Sequence, residues 1–360
     1  MKTALYDAHL ALGAKMIDFC GWEMPLQYKG IIHEHQVVRT HVGIFDVSHM
    51  GRIEIDGLGA EALVDYLSTN QIAGKQDGTA TYTVWCDEKG NSVDDLIVYR
   101  RSQTEFFIIV NACNRQKDLT HLLHYSAARD VIINDQYADG GILALQGPDA
   151  LPLIATLFPK AEDLKPMHFI VGEYAGEEVV ISRTGYTGAG GVEIYAQQQV
   201  IVKLWKTLLE KGARYGIEPI GLGARDTLRL EMGFALYGHE LSGSIAPSES
   251  VSGWTIKWNK PDFLGKKQLE QLECSQTKRR EYGILLTGKG IAREGYPVLY
   301  KGESIGVVTS GTHSPLLNQS IAIVLVERNL QVGDSVEIQI RQTLCPAQVV
   351  SLPFIGTVRR

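Results

Sequence analysis

The sequence lacks any arrangement of cysteines that reads as a framework. Its five cysteines (Cys20, Cys86, Cys113, Cys274 and Cys345) are scattered, odd in number and without a CxxC pair. That disfavours a disulfide scaffold and a zinc ribbon alike and points to a reducing compartment. Also missing is any run of about 18 apolar residues, so no membrane-spanning helix is expected. The opening MKTALYDAHLALGAKMIDF puts Asp7, Lys15 and Asp18 where a signal peptide needs an unbroken apolar core. The expected location is therefore the cytoplasm or an organelle matrix. A basic surplus is absent: 35 Lys and Arg against 41 Asp and Glu give a net charge of −6, which argues against nucleic acid as a partner. Small basic clusters do occur at Lys278, Arg279 and Arg280 and at Arg359 and Arg360. No GxxxxGK[ST] loop is present, and GLGARD carries Asp226 where a dinucleotide fingerprint needs its third glycine.

What is there is ordinary globular material, 360 residues with 44% hydrophobic and 21% charged side chains, enough for two or three domains. The segments IEIDGLGAEALVDYL (53–67) and LALQGPDALPLIATL (143–157) share a strand, a glycine and a helix in one register. Gly57, Ala60, Leu63 and Leu67 recur 90 positions later as Gly147, Ala150, Leu153 and Leu157. Two lobes of similar build follow from that repeat. Each helix precedes strands: TYTVWC, DDLIVYRR and EFFIIVNAC in the first, EEVVISRTGYTGAGGVEIYA in the second. A loose match of VDDLI (93–97) to GVEIY (191–195) places Glu193 where Asp95 stands. From about residue 280 short strands alternate with Gly and Pro turns, the pattern of a small β barrel or sandwich.

Side chains that could carry chemistry are few. In GNSVDDLIVYRR (90–101) two carboxylates open a strand. Neighbouring strand residues point to opposite faces, so if one is in solvent the other shares a face with Ile97 and Tyr99. By parity the inward one is Asp95, and Asp94 faces away. An inward carboxylate beside apolar groups has a perturbed pKa or a special partner; the competing reading is a carboxylate capping the preceding hairpin turn. His33 and His35 fall in a helical pattern where i and i+2 diverge, so they read as ordinary histidines rather than metal ligands. Arg225 and Arg229 lie one helical turn apart, as an anion clamp or as ion pairs to Asp226 and Glu231. Tyr186, in TGYTG, is a packing residue or a ligand stack.

Taken in order, GAKMIDFCGWEMPLQY, VGIFDVSHMG, SVDDLIVY, FIIVNACNRQKD, LQGPDA, SRTGYTG, GLGARDTLRLEMGFALYG, DFLGKKQL and VTSGTHSPLLNQSIAIVLV resemble the aminomethyltransferase, or T-protein, family of the glycine cleavage system. The resemblance implies an α+β cloverleaf of three domains. Two are related ferredoxin-like lobes (1–50 with 138–275, and 51–137) and the third is an antiparallel β barrel (276–360), with tetrahydrofolate in a central hole. It implies Asp95 as the catalytic carboxylate. The folate set would be Met50, Tyr82, Asp95, Tyr99, Asn111, Tyr186, Glu193, Arg225 and Arg359. It further implies tetrahydrofolate as acceptor substrate without metal, flavin or nucleotide, a transient lipoylated H-protein partner, and a monomer of bacterial, cytoplasmic type.

The implied reaction moves a one-carbon unit from aminomethyl-dihydrolipoyl H-protein to tetrahydrofolate, giving 5,10-methylenetetrahydrofolate, ammonia and dihydrolipoyl H-protein. A fixed carboxylate suits it, since the moving carbon is electron-poor and a proton must be relayed. Two relatives of different activity stay open: a folate-dependent demethylase without a carrier, and a non-catalytic folate binder of iron-sulfur assembly. The first is disfavoured by GWEMPL, FDVSHM and GLGARD. The second would carry a KGCYxGQE-type block where this chain has GLGARDTLRLE. The chain departs from the family pattern at GAGG after TGYTG, in the weakly acidic GHELSGSIAPSESVSGW, and at Phe234, where some members carry Tyr.

Overall fold

A computed structural model describes residues 1–136, 140–275 and 278–356. The chain opens with α1 (Tyr6–Ala11), the hairpin β1 (Lys15–Phe19) and β2 (Trp22–Gln27), α2 (Ile31–Thr40) and β3 (Val42–Asp46). Next come β4 (Gly51–Asp56), α3 (Ala60–Leu67), β5 (Thr79–Cys86), β6 (Ser92–Arg100), β7 (Glu105–Val110), α4 (Arg115–Ser126) and β8 (Ile132–Asp135). The same succession of kinds returns as β9 (Gly140–Gln146), α5 (Ala150–Ala155), β10 (Phe169–Tyr174), β11 (Glu177–Ser182), β12 (Gly191–Gln197), α6 (Gln198–Gly212) and β13 (Ile217–Pro219). After α7 (Leu222–Glu231) and α8 (Lys266–Glu273), the strands β14 (Arg280–Leu286), β15 (Pro297–Tyr300), β16 (Glu303–Ser314), β17 (Gln319–Val326), β18 (Ser335–Ile340) and β19 (Thr343–Val350) form a closed barrel.

The 90-residue repeat is real in three dimensions. Gly57 and Gly147 both leave their strands at positive φ, 129° and 130°. A Cβ at either would come within 2.3 Å of a backbone carbonyl oxygen, of Asp130 and His41 respectively. Only glycine fits such a turn. The helices that follow bury matching faces, Ala60, Leu63, Val64 and Leu67 in one and Ala150, Leu153 and Ile154 in the other, all 0% exposed. Each buried Leu or Ile stabilises by roughly 1.5–3 kcal/mol.

Strand order makes the two lobes copies. One sheet runs β5-β6-β7-β4-β8 and the other β10-β11-β12-β9-β3-β13; taking β4-α3-β6-β7-α4-β8 as one βαββαβ unit, its order is that of a ferredoxin-like fold. The second sheet differs by insertion of β3 from the N-terminal segment. Register then corrects the loose match of VDDLI to GVEIY. Arg52 faces Ile109, and 90 residues on Ile142 faces Tyr195, so β12 answers to β7, and Glu193 to Phe107. One strand further out, Ile97 opposite Ile109 answers to Val180 opposite Tyr195. Two residues before these stand Asp95 and Glu178. Glu193 is therefore not where Asp95 stands: each sits on a different strand of its hairpin.

The two sheets meet through Phe45, Tyr99, Phe107, Ile109, Ala144, Val180 and Tyr195, which share one apolar cluster. The inner faces thus bury each other while α3, α4, α5 and α6 cover parts of the outer faces. The cysteines form no framework among the described residues, but one pair is joined. Cys20, in the turn between β1 and β2, is disulfide-bonded to Cys113, with Cα atoms 5.3 Å apart across a sequence separation of 93. Spacing along the chain carried no sign of it, because only the docking of the two lobes brings those turns together. Among the described residues no helix is long and apolar enough to cross a membrane.

Candidate functional site

Along β6 side chains alternate between two covered faces. Asp95 lies with Ile97 and Tyr99, as parity requires, and is partly buried. Asp94 lies with Leu96 and Val98 against the lobe's own core and is 0% exposed. The expectation that Asp94 faces solvent is therefore wrong, since its face of the strand is the one that packs on the lobe's own core. Nor does either carboxylate cap the hairpin. Asp87 does that, its Oδ1 accepting the Lys89 and Asn91 amides, each at 2.9 Å.

Asp94 accepts the Asn111 amide at 3.1 Å, Asn111 Nδ2 at 2.9 Å and Asn114 Nδ2 at 2.5 Å. Asn111 Nδ2 also donates to Asp95 Oδ1 and to the Asp95 carbonyl, both at 3.0 Å. From the opposite strand Tyr82 donates its hydroxyl to Asp95 Oδ2 at 3.0 Å and meets Ser252 Oγ at 3.0 Å. The Tyr82 ring stacks on Trp254 with centroids 5.7 Å apart. Burial, and next the Asp94 charge, push the Asp95 carboxyl up to about 7 against the hydrogen bonds from Tyr82 and Asn111. A carboxylate balanced near neutrality exchanges a proton readily.

The second carboxylate, Glu193, is 6% exposed. Its Oε2 accepts Thr184 Oγ1 at 2.6 Å and the Tyr195 hydroxyl at 3.0 Å. Tyr99, fully buried, has its own hydroxyl 2.5 Å from that of Tyr195 and 3.2 Å from Thr184 Oγ1. Tyr99 thus touches Glu193 only through this hydroxyl network, while Met50 packs at the edge of the same cluster. The Arg225 guanidinium stands 4.6 Å from the centre of the Tyr186 ring. It makes no ion pair among the described residues, although Glu193 and Tyr195 are its electrostatic neighbours. Tyr186 donates its hydroxyl to the Ala235 carbonyl and stacks on Phe234. Tyr186 and Arg225 line a cavity of about 480 Å³ that Phe19, His49 and Ser310 also border; burial first, with the Asp95 charge among the lesser causes, pushes the Tyr186 hydroxyl up.

Of the sequence-derived set, the structure gathers Asp95, Tyr82 and Asn111 by direct bonds, Tyr186 and Arg225 by stacking, Tyr99 and Glu193 through the Thr184 and Tyr195 hydroxyls, and Tyr99 and Met50 in one apolar cluster. Arg359 lies outside the described residues. The two arginines of α7 divide: Arg229 is buried and spent on Asp226 and Glu240, both at 2.8 Å, leaving Arg225 as the open cation. Glu231 instead takes Arg39 and His35. His33 sits at the surface beside Glu218. The basic cluster is neutralised, Lys278 and Arg280 by Glu273 and Arg279 by Glu249. Sequence reasoning missed Ser252, Trp254, Asn114, Thr184 and Tyr195. For Tyr195 a signal existed, since it follows Glu193 by two and shares its face.

Comparison with known proteins decides the family. A family model for the GCVT N-terminal domain matches residues 5–260, and one for the glycine cleavage T-protein C-terminal barrel domain matches residues 279–355. The chain belongs to the glycine cleavage T-protein family. An aminomethyltransferase of Bacillus pumilus (strain SAFR-032) is 43% identical over 98% of each chain, and that of Bacillus subtilis (strain 168) is 40% identical over 98% of each. The crystal structure of glycine cleavage system aminomethyltransferase T from Bartonella henselae superimposes with a TM-score of 0.92 at 31% identity, covering 99% of this chain and 98% of that one. With both domains matched over nearly the full length, the T-protein fold described above carries aminomethyltransferase activity.

Proposed function

We propose that the Asp95 cluster is where the aminomethyl carbon, brought on the dihydrolipoyl arm of H-protein, is handed to tetrahydrofolate. The observation that carries this is a partly buried carboxyl held by the Tyr82 hydroxyl and Asn111 Nδ2 and pushed up to about 7 by burial and the Asp94 charge. The residues suit a reduced folate. Glu193 is a buried acceptor for pterin N–H groups, Tyr186 offers a ring, and Arg225 a cation for an anionic tail. Tyr82 and Asn111 hold Asp95, Tyr99 and Met50 share an apolar cluster, and Arg359 completes the set on family grounds. When bound, tetrahydrofolate supplies the nitrogens that accept the carbon.

The chain's own contribution is positional and electrostatic. Asn111 fixes Oδ1 of Asp95 and Tyr82 fixes Oδ2, so the carboxylate cannot rotate away. Its charge opposes the positive charge that builds on the moving carbon, and near neutral pH it can take or return a proton. Family membership supports transient docking of a lipoylated H-protein, action as a monomer, and a cytoplasmic setting. The decisive assay supplies purified chain with tetrahydrofolate, with and without aminomethylated H-protein. Methylenetetrahydrofolate and ammonia should form only with the carrier. Turnover of a small methylated amine without it would overturn the reading in favour of a demethylase.

A further inference from the structure

We propose that Asp118 is a positioning residue for Asp95, acting through a proton that it shares with Asp94. This rests on Asp95 being the reacting carboxylate. Asp118 lies in the first turn of α4 and is 0% exposed. Its backbone amide is committed to the Asn114 carbonyl at 2.9 Å, but neither carboxyl oxygen meets a hydrogen-bond donor among the described residues. What stands beside it is the carboxyl of Asp94. Two buried carboxyls in contact, with no cation between them among the described residues, cannot both be ionised, so one proton lies between the pair.

The partners decide which side holds it. Asp94 already accepts three N–H groups from Asn111 and Asn114, the pattern of an ionised acceptor. Asp118 accepts none, so it keeps the proton and donates it to Asp94. Burial and the Asp94 charge hold its carboxyl well above the usual carboxylate range. The charged groups facing it are Asp94 and Asp95 from β6 and Lys117 from its own helix. Lys117 is turned outward, its Nζ bonded to the Tyr237 hydroxyl at 2.7 Å. The result is one line of bonds, Asp118 to Asp94 to Asn111 to Asp95. Removing the proton would set two carboxylates against each other beneath the turn that carries Asn111, and Asn111 would lose its fixed aim at Asp95 Oδ1.

The test compares the full chain with Asp118→Asn and Asp118→Val. Asn keeps the shape and donates an N–H to Asp94 but has no proton to lose; Val keeps the volume and donates nothing. Asn should retain the parent kcat. Val should lose about 10- to 100-fold in kcat, the scale of a small misplacement at a reacting centre, with little change in KM for tetrahydrofolate. Should Val fail to fold, thermal denaturation of Asn decides. A carboxyl whose folded pKa is raised stabilises below its unfolded pKa, and that contribution is lost as pH rises toward the folded pKa. The melting temperature of Asp118→Asn relative to the parent should therefore climb from about pH 5 to about pH 9. A constant difference over that range, or an Asn variant as slow as Val, overturns the proposal. Full activity in Asp95→Asn would instead overturn the reading of Asp95 and leave the thermal series standing.

Discussion

In the lobe built on β6, Asp95 lies partly buried between Tyr82 and Asn111, whereas at the matching position of the repeat Glu178 stands in solvent beside Arg101. The register of the two hairpins is the same in both lobes, so neither the strand nor its pairing makes a carboxylate reactive. The surroundings differ. Asp95 has the fully buried Asp94 as its neighbour, where Glu178 has the partly exposed Glu177; it bonds no cation among the described residues, and burial drives its pKa up to about 7. Glu178 has 51% of its side chain exposed and takes Arg101 at 2.6 Å, and that bond holds its carboxyl below the usual value. One duplicated scaffold thus carries a carboxyl poised to exchange protons and one fixed as an ordinary surface anion.

The strongest way to break this comparison is to neutralise the poised member. Asp95→Asn should lower kcat by roughly 100-fold or more, the scale of a positioned acid–base group. Its stability should move the other way. Because the folded pKa of Asp95 is raised, its stabilising contribution is present at low pH and lost as pH rises from about 4 to 7. The Asn variant should accordingly gain in melting temperature over the parent between pH 5 and pH 8. A fall in stability at every pH, in step with the fall in rate, would make Asp95 a structural residue.

How much of this could be read from the chain alone follows from which forces are local. The Gly57 and Gly147 turns, the Leu face of each helix and the inward parity of Asp95 depend on neighbours within a few residues, and the sequence shows them. The burial of Asp94 does not, because its face is covered by α4, more than 20 positions on, and by the lobe's own core. Nor does the matching of Asp95 to Glu178. Short strand motifs look alike in several registers, and only the pairing to β4 and β9 chooses between them. The Cys20–Cys113 pair and the Ser252 contact to Tyr82 are long-range in the same sense. Family resemblance supplied the ligand set, but it could not show that Tyr99 reaches Glu193 only through Tyr195 and Thr184.

Asp94→Asn sharpens the comparison by removing a buried carboxylate, whose counterpart beside Glu178, Glu177, is only partly buried. The amide brings N–H groups against the donors of Asn111 and Asn114, and a buried mismatch of that kind costs about 1–3 kcal/mol. The like charge that raises Asp95 also goes, so the acid limb of the pH–rate profile should move to lower pH. Urea denaturation and a kcat profile measure the two effects. An unshifted limb would mean that burial alone sets the proton affinity of Asp95.

The smallest effect is expected on the other side of the repeat, and it is the control that gives the comparison its meaning. Glu178→Gln removes an ion pair whose carboxylate is half in solvent, and such pairs contribute about 0.5 kcal/mol or less. The sign differs from that of Asp95. A carboxyl whose folded pKa is depressed stabilises above its unfolded pKa and loses that contribution as pH falls, so the small deficit of the Gln variant should be seen at neutral pH and fade on acidification. Activity should not change, because Glu178 touches neither the Tyr82–Asp95–Asn111 group nor the cavity beside Tyr186. A drop in kcat without a drop in melting temperature would show that the second lobe's carboxylate also acts on the reaction, and the division of labour between the two copies would fall.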